Sequence, residues 1–345
     1  METLWFCLFW EILATFVVLS GTDIGVGMLH FLVGRTDGQR SQIIRSIHEV
    51  WKPNQVWLVV IGGIMFVAFP ALLAESLSGF YLAIMLVLWL LIGRGLGIEL
   101  RDRIDDPMWA RFWDVAFSLS SVLLAVCLGA ALGNFVRGVP LDETGRVFFE
   151  AFWTNFRLGS DTGILDWFTV LVGITAVIAL THHGALWLSH FTDGPVQERS
   201  ARLADRSWLM LVIALGVCVL LTTVFQPQLR ANLVAHPWGV ILLLGAGAAL
   251  AWCRSLRRRG RTLKAYIASG LSLYAILNCT AFALYPYVLP ARIPEHGLTA
   301  FKAAAPRESL QLALCWWIPA ALLVACYFAY VYCKMPSKFL LDVAE

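Results

Sequence analysis

The sequence predicts an all-α polytopic membrane protein, and three observations carry that reading. Hydrophobic residues make up 59% of the 345 residues and charged residues only 14%, with a mean hydropathy of +0.73. A water-soluble core of this length needs far less apolar surface. Apolar runs of about 18 or more residues recur along the whole chain, which marks spanning helices rather than the alternating pattern of a barrel. No stretch of soluble composition is long enough for a second domain, so residues 1–345 read as one integral-membrane domain.

Windows of about 19 residues place nine helices, near 5–34, 55–74, 78–97, 112–134, 163–190, 207–225, 237–253, 264–287 and 310–333. The first is longer than a bilayer needs, so it tilts or protrudes. It is also far too long for a cleavable signal, and Met1 is followed by Glu2 rather than a basic residue. After it, the segment Gln39 to Val50 puts Ile43, Ile44, Ile47 and Val50 on one helical face, as in a short helix lying in the interface plane. Trp51-Lys52-Pro53-Asn54-Gln55-Val56-Trp57 then re-enters the apolar phase, two tryptophans bracketing a polar corner as an interface anchor. Pro286, Pro290 and Pro319 punctuate or kink later helix ends.

An odd number of spans puts the termini on opposite sides. Of the 26 Lys and Arg, 19 fall in the loops after helices 1, 3, 5 and 7, at the helix ends beside them (Arg94, Lys264) and in the C-terminal tail, against 7 on the other side. The positive-inside rule therefore predicts the N-terminus outside and the C-terminus cytoplasmic. The densest run is Arg254-Ser255-Leu256-Arg257-Arg258-Arg259-Gly260-Arg261. Beside two spans it reads as a topology determinant that also meets anionic lipid, not as a nucleic-acid patch.

The eight cysteines sit almost entirely in spans, with neither Cys-x-x-Cys nor Cys-x-x-Cys-His among them. They read as small hydrophobes. No helical His-x-x-x-His pair, zinc set, phosphate loop or nucleophile elbow appears. What remains is a small set of ionisable groups at membrane depth, where charge is costly unless paired or hydrated. Asp23, in Ser20-Gly21-Thr22-Asp23-Ile24-Gly25-Val26-Gly27-Met28, serves a proton relay, or a pair with an arginine of the same layer that joins two helices. At the inner end of helix 3, Glu99 and Arg103 are four apart and face one another, either a proton entry or an interfacial charge fringe. The adjacent His182 and His183 point about 100° apart and cannot ligate one haem or metal together. One of them could serve as an axial ligand or quinone contact, although a histidine satisfied by a carbonyl is the commoner arrangement. His30, His48 and His190 lie near helix ends and read as interfacial.

The order of these features resembles subunit II of the cytochrome bd quinol oxidases. The matching pieces are Gly21-Thr22-Asp23-Ile24-Gly25-Val26-Gly27-Met28, Gly34-Arg35-Thr36-Asp37, the Trp51 to Trp57 segment, Gly62-Gly63, Ala68-Phe69-Pro70, Phe80-Tyr81, the Arg94, Glu99 and Arg101 string, Trp113-Asp114, Gly133 to Pro140, His183-Gly184-Ala185, Tyr285 to Pro290 and Ser309-Leu310. The resemblance runs end to end and is most specific in the first hundred residues.

That resemblance implies two four-helix bundles plus one peripheral helix. The complex would sit in a bacterial or archaeal cytoplasmic membrane, oxidise membrane quinol, reduce dioxygen to water and generate proton motive force. Haem b and haem d would be ligated by a haem-bearing subunit I, the absence of paired ligands here agreeing with that. Small single-helix subunits, lipids and a bound quinone are further partners the resemblance allows. It also implies a proton path through an acid and a base matching Glu99 and Arg103, and a dioxygen route at the tryptophan matching Trp57. Where the family has Asp-Gly, this chain has Lys52-Pro53. A lysine in that place relays protons only if burial leaves it neutral; otherwise the path runs through subunit I, or Asp23 takes it over. Two other readings stay open: a secondary transporter with Asp23 and Glu99 as coupling acids, whose inverted repeats are not evident, and a diverged homo-oligomer that binds haem itself through His182 or His183.

Overall fold

The computed structural model describes residues 1–147, 163–336 and 338–340; Arg157 of the charge balance and the remainder of the 1–345 domain lie outside the described residues. Helix dominates because a backbone crossing hydrocarbon satisfies its N–H and C=O groups only within its own segment. The first half runs α1 (Glu2–Val33), α2 (Asp37–His48), α3 (Trp51–Ala68), α4 (Pro70–Gly79), α5 (Tyr81–Leu100) and α6 (Pro107–Arg137). The second runs α7 (Trp167–Phe191), α8 (Gly194–Phe225), α9 (Pro227–Ala235), α10 (Val240–Arg258), α11 (Thr262–Leu284), α12 (Ala300–Ala303) and α13 (Arg307–Lys334). Among the described residues eight helices are long and apolar enough to cross a membrane, or nine if α2 and α3, bent by 49°, form one span.

The helix expected at 55–74 is broken. Phe69 leaves the helical region (φ −134°, ψ 62°) and Pro70 opens α4 at its first turn. A residue before proline is pushed out of the α region, and proline at a helix start loses no hydrogen bond. The largest extension is α8, expected from 207 and beginning at Gly194. Gln197, Glu198, Arg199, Arg202, Asp205 and Arg206 hide that stretch from a hydropathy window. Its buried Val196, Ser200, Ala204, Ser207 and Leu211 recur at three- and four-residue spacing, an amphipathic continuation packed on the protein.

Helix α1 is the axis. It packs against α3, α6, α7 and α11, with α7 also packed on α6 and α11, while α5–α6, α7–α8 and α10–α11 pair as hairpins. The closest approach is between α1 and α7. A Cβ on Gly25 would sit 2.1 Å from the Leu180 carbonyl oxygen, and one on Gly184 2.5 Å from the Gly25 carbonyl carbon. Only glycine lets the two backbones meet there. α13 is peripheral: it meets the other helices mainly through α3, and its apolar window is 0% buried.

α2 lies at the end of the molecule where α1, α5 and α7 finish and α3, α6 and α8 begin. Thr36 caps it, its hydroxyl accepting from Gln39 N. Its apolar face is covered by protein rather than by lipid: Ile43, Ile44 and Ile47 cluster with Leu29, Val33, Leu188 and Phe191. The face expected to lie in the membrane interface thus binds α2 down as a lid over this end of the bundle. At the opposite end, Tyr287–Leu289 pairs antiparallel with Leu298–Thr299 in the α11–α12 connection.

Candidate functional site

The charged side chains that the sequence marks as costly gather at the α2 end in three groups. Deepest is Asp23, whose Oδ2 lies 3.3 Å from Arg94 Nη1 of α5, with both side chains essentially unexposed. This is the same-layer arginine that Asp23 needs. The pair is not saturated: Asp23 Oδ2 and Arg94 Nε and Nη1 have no hydrogen-bond partner of acceptable geometry. Polar side chains surround it. The Thr22 and Tyr266 hydroxyls are 2.7 Å apart. Ser20 Oγ donates to the Asn54 carbonyl at 3.2 Å, Asn54 Nδ2 to the Leu19 carbonyl at 3.0 Å, and Tyr332 OH to Asn54 Oδ1 at 3.3 Å. Asn54, on the first turn of α3, therefore ties α1 to α13 beside Asp23.

The second group surrounds Glu99, five residues after Arg94 on α5. Lys52 Nζ lies 2.9 Å from Glu99 Oε1, and His48 Nε2 and Arg103 Nη2 each approach the carboxylate to 4.0 Å. Arg103, in a 3-10 turn at Arg101–Arg103, also donates Nε–H to the Glu99 carbonyl at 3.2 Å. Glu99 is mostly shielded while Lys52 and Arg103 are exposed, so the carboxylate opens to water through a rim of cations. Lys52 sits against that acid and is not buried.

The third group was not legible as a group. Asp114 of α6, fully buried, accepts from His30 Nε2 at 2.6 Å, Arg40 Nε at 2.7 Å and Arg101 Nε at 2.6 Å. Arg101 also donates Nη2–H to Asp37 Oδ1 at 2.6 Å and pairs with Asp102. One carboxylate so joins α1, α2, the Arg101–Arg103 turn and α6, and buried charge persists because its lone pairs are used. His30, expected to be interfacial, is completely buried. The signal was present in its spacing: seven residues after Asp23, it shares Asp23's face of α1. Glu11, a half-buried acid in the same helix with Oε2 unpartnered, was not singled out either.

His182 and His183 are each held inside the protein. His182 Nδ1 meets the Ala204 carbonyl and Ser207 Oγ at 3.1 Å, with Cys253 Sγ 3.7 Å from Nε2. His183 engages Ser269 Oγ through Nδ1 and the Val18 carbonyl through Nε2, and stacks on Tyr266 at 4.6 Å. A haem iron needs a free ring nitrogen on its axis: His183 has both nitrogens engaged, whereas His182 keeps Nε2 against Cys253 Sγ, facing a cleft of about 10 Å³ that is far too small for a haem. Among the described residues no cluster of three or more His, Cys, Asp or Glu could hold a metal ion. Trp57 is half-buried, its ring 5.3 Å from Phe328 of α13 in an apolar seam between α3 and α13.

Residues 1–335 match the family model described as cytochrome bd terminal oxidase subunit II. Cytochrome bd-I ubiquinol oxidase subunit 2 of Escherichia coli (strain K12) is 29% identical, over 97% of this chain and 94% of that protein. Cytochrome bd ubiquinol oxidase subunit 2 of Bacillus subtilis (strain 168) is 25% identical, over 90% of this chain and 89% of that protein. A chain from the solved structure of bd oxidase from Geobacillus thermodenitrificans superposes with a TM-score of 0.71 at 17% identity, covering 96% of this chain and 97% of its own, which establishes a shared fold.

Proposed function

The chain belongs to the cytochrome bd terminal oxidase subunit II family, and from that premise we propose that it completes the oxidase without ligating its haems and that its α2 end takes up protons for the reaction. Membership makes it a membrane-embedded subunit of a quinol:dioxygen oxidoreductase of the respiratory chain, with a subunit I partner. We place it in the cytoplasmic membrane with the α2 end inside, as the charge balance favours. The haems, held by subunit I in this reading, supply electron transfer from quinol and the reduction of dioxygen to water. Both ring nitrogens of His183 are engaged and His182 Nε2 faces only a cleft of about 10 Å³, which supports leaving ligation to the partner.

What this chain's own residues do follows from their pairing. Glu99 receives a proton at its carboxylate, and Lys52, His48 and Arg103 fix where that carboxylate points. Lys52 does not carry protons onward. Its side chain is 61% exposed and its Nζ lies 2.9 Å from Glu99 Oε1, so it acts as the counter-charge that an acid in its place could not be. Arg94, the partner of Asp23, lies about 7.5 Å from Glu99 along the α5 axis by the rise of five residues, so a relay between the two acids takes a chain of waters rather than one. Trp57, in the α3–α13 seam, lines an apolar way in for dioxygen.

The observation that carries this reading is that both intramembrane acids of the motif, Asp23 and Glu99, stand opposite a base at the same end of the bundle. The test is quinol-dependent oxygen uptake by the purified two-subunit complex, normalised to haem, in Glu99→Gln and Asp23→Asn. Loss of turnover with haem content intact supports it, and wild-type turnover in both variants refutes it.

A further inference from the structure

At the α2 end, the junction of α8 and α10 carries a cationic cluster that the oxidase reading leaves unused. Arg254 and Arg257 are one turn apart on α10 and, with Arg258, share a face. The Arg254 guanidinium lies 4.4 Å from the centroid of the Trp208 ring on α8, and Trp208 Nε1 donates to the Leu250 carbonyl at 2.9 Å, which fixes the ring as a platform. Arg257 Nη2 is 3.3 Å from Asp205 Oδ2, one turn before Trp208, while its buried Nε has no hydrogen-bond partner. Beneath these side chains His182, Leu186, Ala204 and Cys253 line a cleft of about 10 Å³, which admits one water and nothing larger. A ligand here therefore lies across the mouth, against the guanidinium groups, and not inside.

Charge and position define what it is. Among the described residues Asp205 is the one carboxylate lining the mouth, against Arg254 and Arg257, with Arg258 ending α10, Arg259 and Arg261 in the turn and Lys264 in the first turn of α11. Stacked and forked guanidinium groups suit the paired oxygens of a phosphate diester. A tryptophan with basic residues where spanning helices end lies at headgroup level, where the phosphate on offer belongs to lipid. We propose that the α8–α10 junction binds the headgroup of an anionic phospholipid, its phosphate held between Arg254 and Arg257 on the Trp208 platform. The lipid would thereby brace the two hairpins α7–α8 and α10–α11 at their shared end.

The test is native mass spectrometry of the detergent-purified two-subunit complex, titrated separately with phosphatidylglycerol, phosphatidylcholine and inorganic phosphate. Phosphatidylglycerol should bind about tenfold or more tightly than phosphatidylcholine. Arg254→Gln with Arg257→Gln should abolish that preference, whereas Lys302→Gln with Arg307→Gln, at the opposite end, should keep it. Asp205→Asn, which removes the competing carboxylate, should tighten phosphatidylglycerol binding, and this variant serves should the double arginine variant fail to assemble. Equal binding of the two lipids, a preference that survives loss of both arginines or is lost equally in the control pair, or no gain in Asp205→Asn overturns the proposal. Displacement of phosphatidylglycerol by millimolar inorganic phosphate would assign the site to free phosphate and overturn it as well.

Discussion

Lys52 Nζ lies 2.9 Å from Glu99 Oε1, bridging the first turn of α3 to the last turn of α5. The lysine that stands where the resemblance led us to expect an acid is thus the partner of an acid two elements on. A pattern compared position by position registers only a lost carboxylate; the fold shows where the new charge goes.

A sharp contrast between the two partners follows. Glu99→Gln is expected to cut quinol-oxidase turnover by about a hundredfold, the low end of what a positioned proton-transfer group contributes. Lys52→Met removes only an exposed partner, worth about 0–1 kcal/mol, so turnover should stay within about threefold. Steady-state oxygen uptake on haem-normalised complexes measures both, and equal losses would show Lys52 to be a carrier.

Asp114 is expected to matter for stability more than for turnover. Asp114→Asn leaves the Arg40 and Arg101 guanidinium groups without their carboxylate, a loss of about 3–5 kcal/mol for a broken buried pair. Because α2 is tied to α6 through that residue, limited proteolysis should cut the α1–α3 connection in the variant well before it cuts the wild type. Unchanged thermal unfolding and unchanged cleavage would refute the tie.

The contact of α1 with α7 gives a third expectation. Gly25→Ala and Gly184→Ala each force a methyl group into backbone, costing about 1–3 kcal/mol or more. Gly62→Ala meets nothing within 4 Å and should stay within about 0.5 kcal/mol. Thermal unfolding of the complex in detergent separates the two classes, and similar shifts at all three sites would contradict the packing.

The architecture was legible wherever the physical cause was local. Apolar runs announced α1, α5, α6, α7, α10, α11 and α13, because a bilayer selects on mean hydropathy alone. The first half of α8 was not legible, since Glu198, Arg199 and Arg202 lower its hydropathy from the outer face while Val196 and Ser200 pack inward. The site divides along the same line. Asp23 and Glu99 stood out as charges in apolar context, and Arg103 as a helical neighbour. The Asp114 network did not, because its members come from α1, α2, α6 and the Arg101–Arg103 turn, and no one-dimensional spacing relates Arg40 to Asp114. The covered apolar face of α2 escaped for a related reason: an amphipathic period reports that a face is buried, not whether lipid or protein buries it.

His182 and His183 give a fourth expectation. His182→Gln and His183→Gln preserve hydrogen-bonding capacity toward Ala204, Ser269 and Val18, so haem per complex should equal the wild type in each. Loss of one haem in either variant, read from pyridine haemochrome spectra, would assign that histidine to a haem.

In the function proposed above, this chain completes a haem oxidase without holding haem itself. The most direct test is to express the tagged chain with and without its haem-bearing partner, purify both preparations in mild detergent and record reduced-minus-oxidised spectra. Haem absorbance and quinol-dependent oxygen uptake are expected only when the partner co-purifies. Stoichiometric haem in the chain purified alone would contradict it.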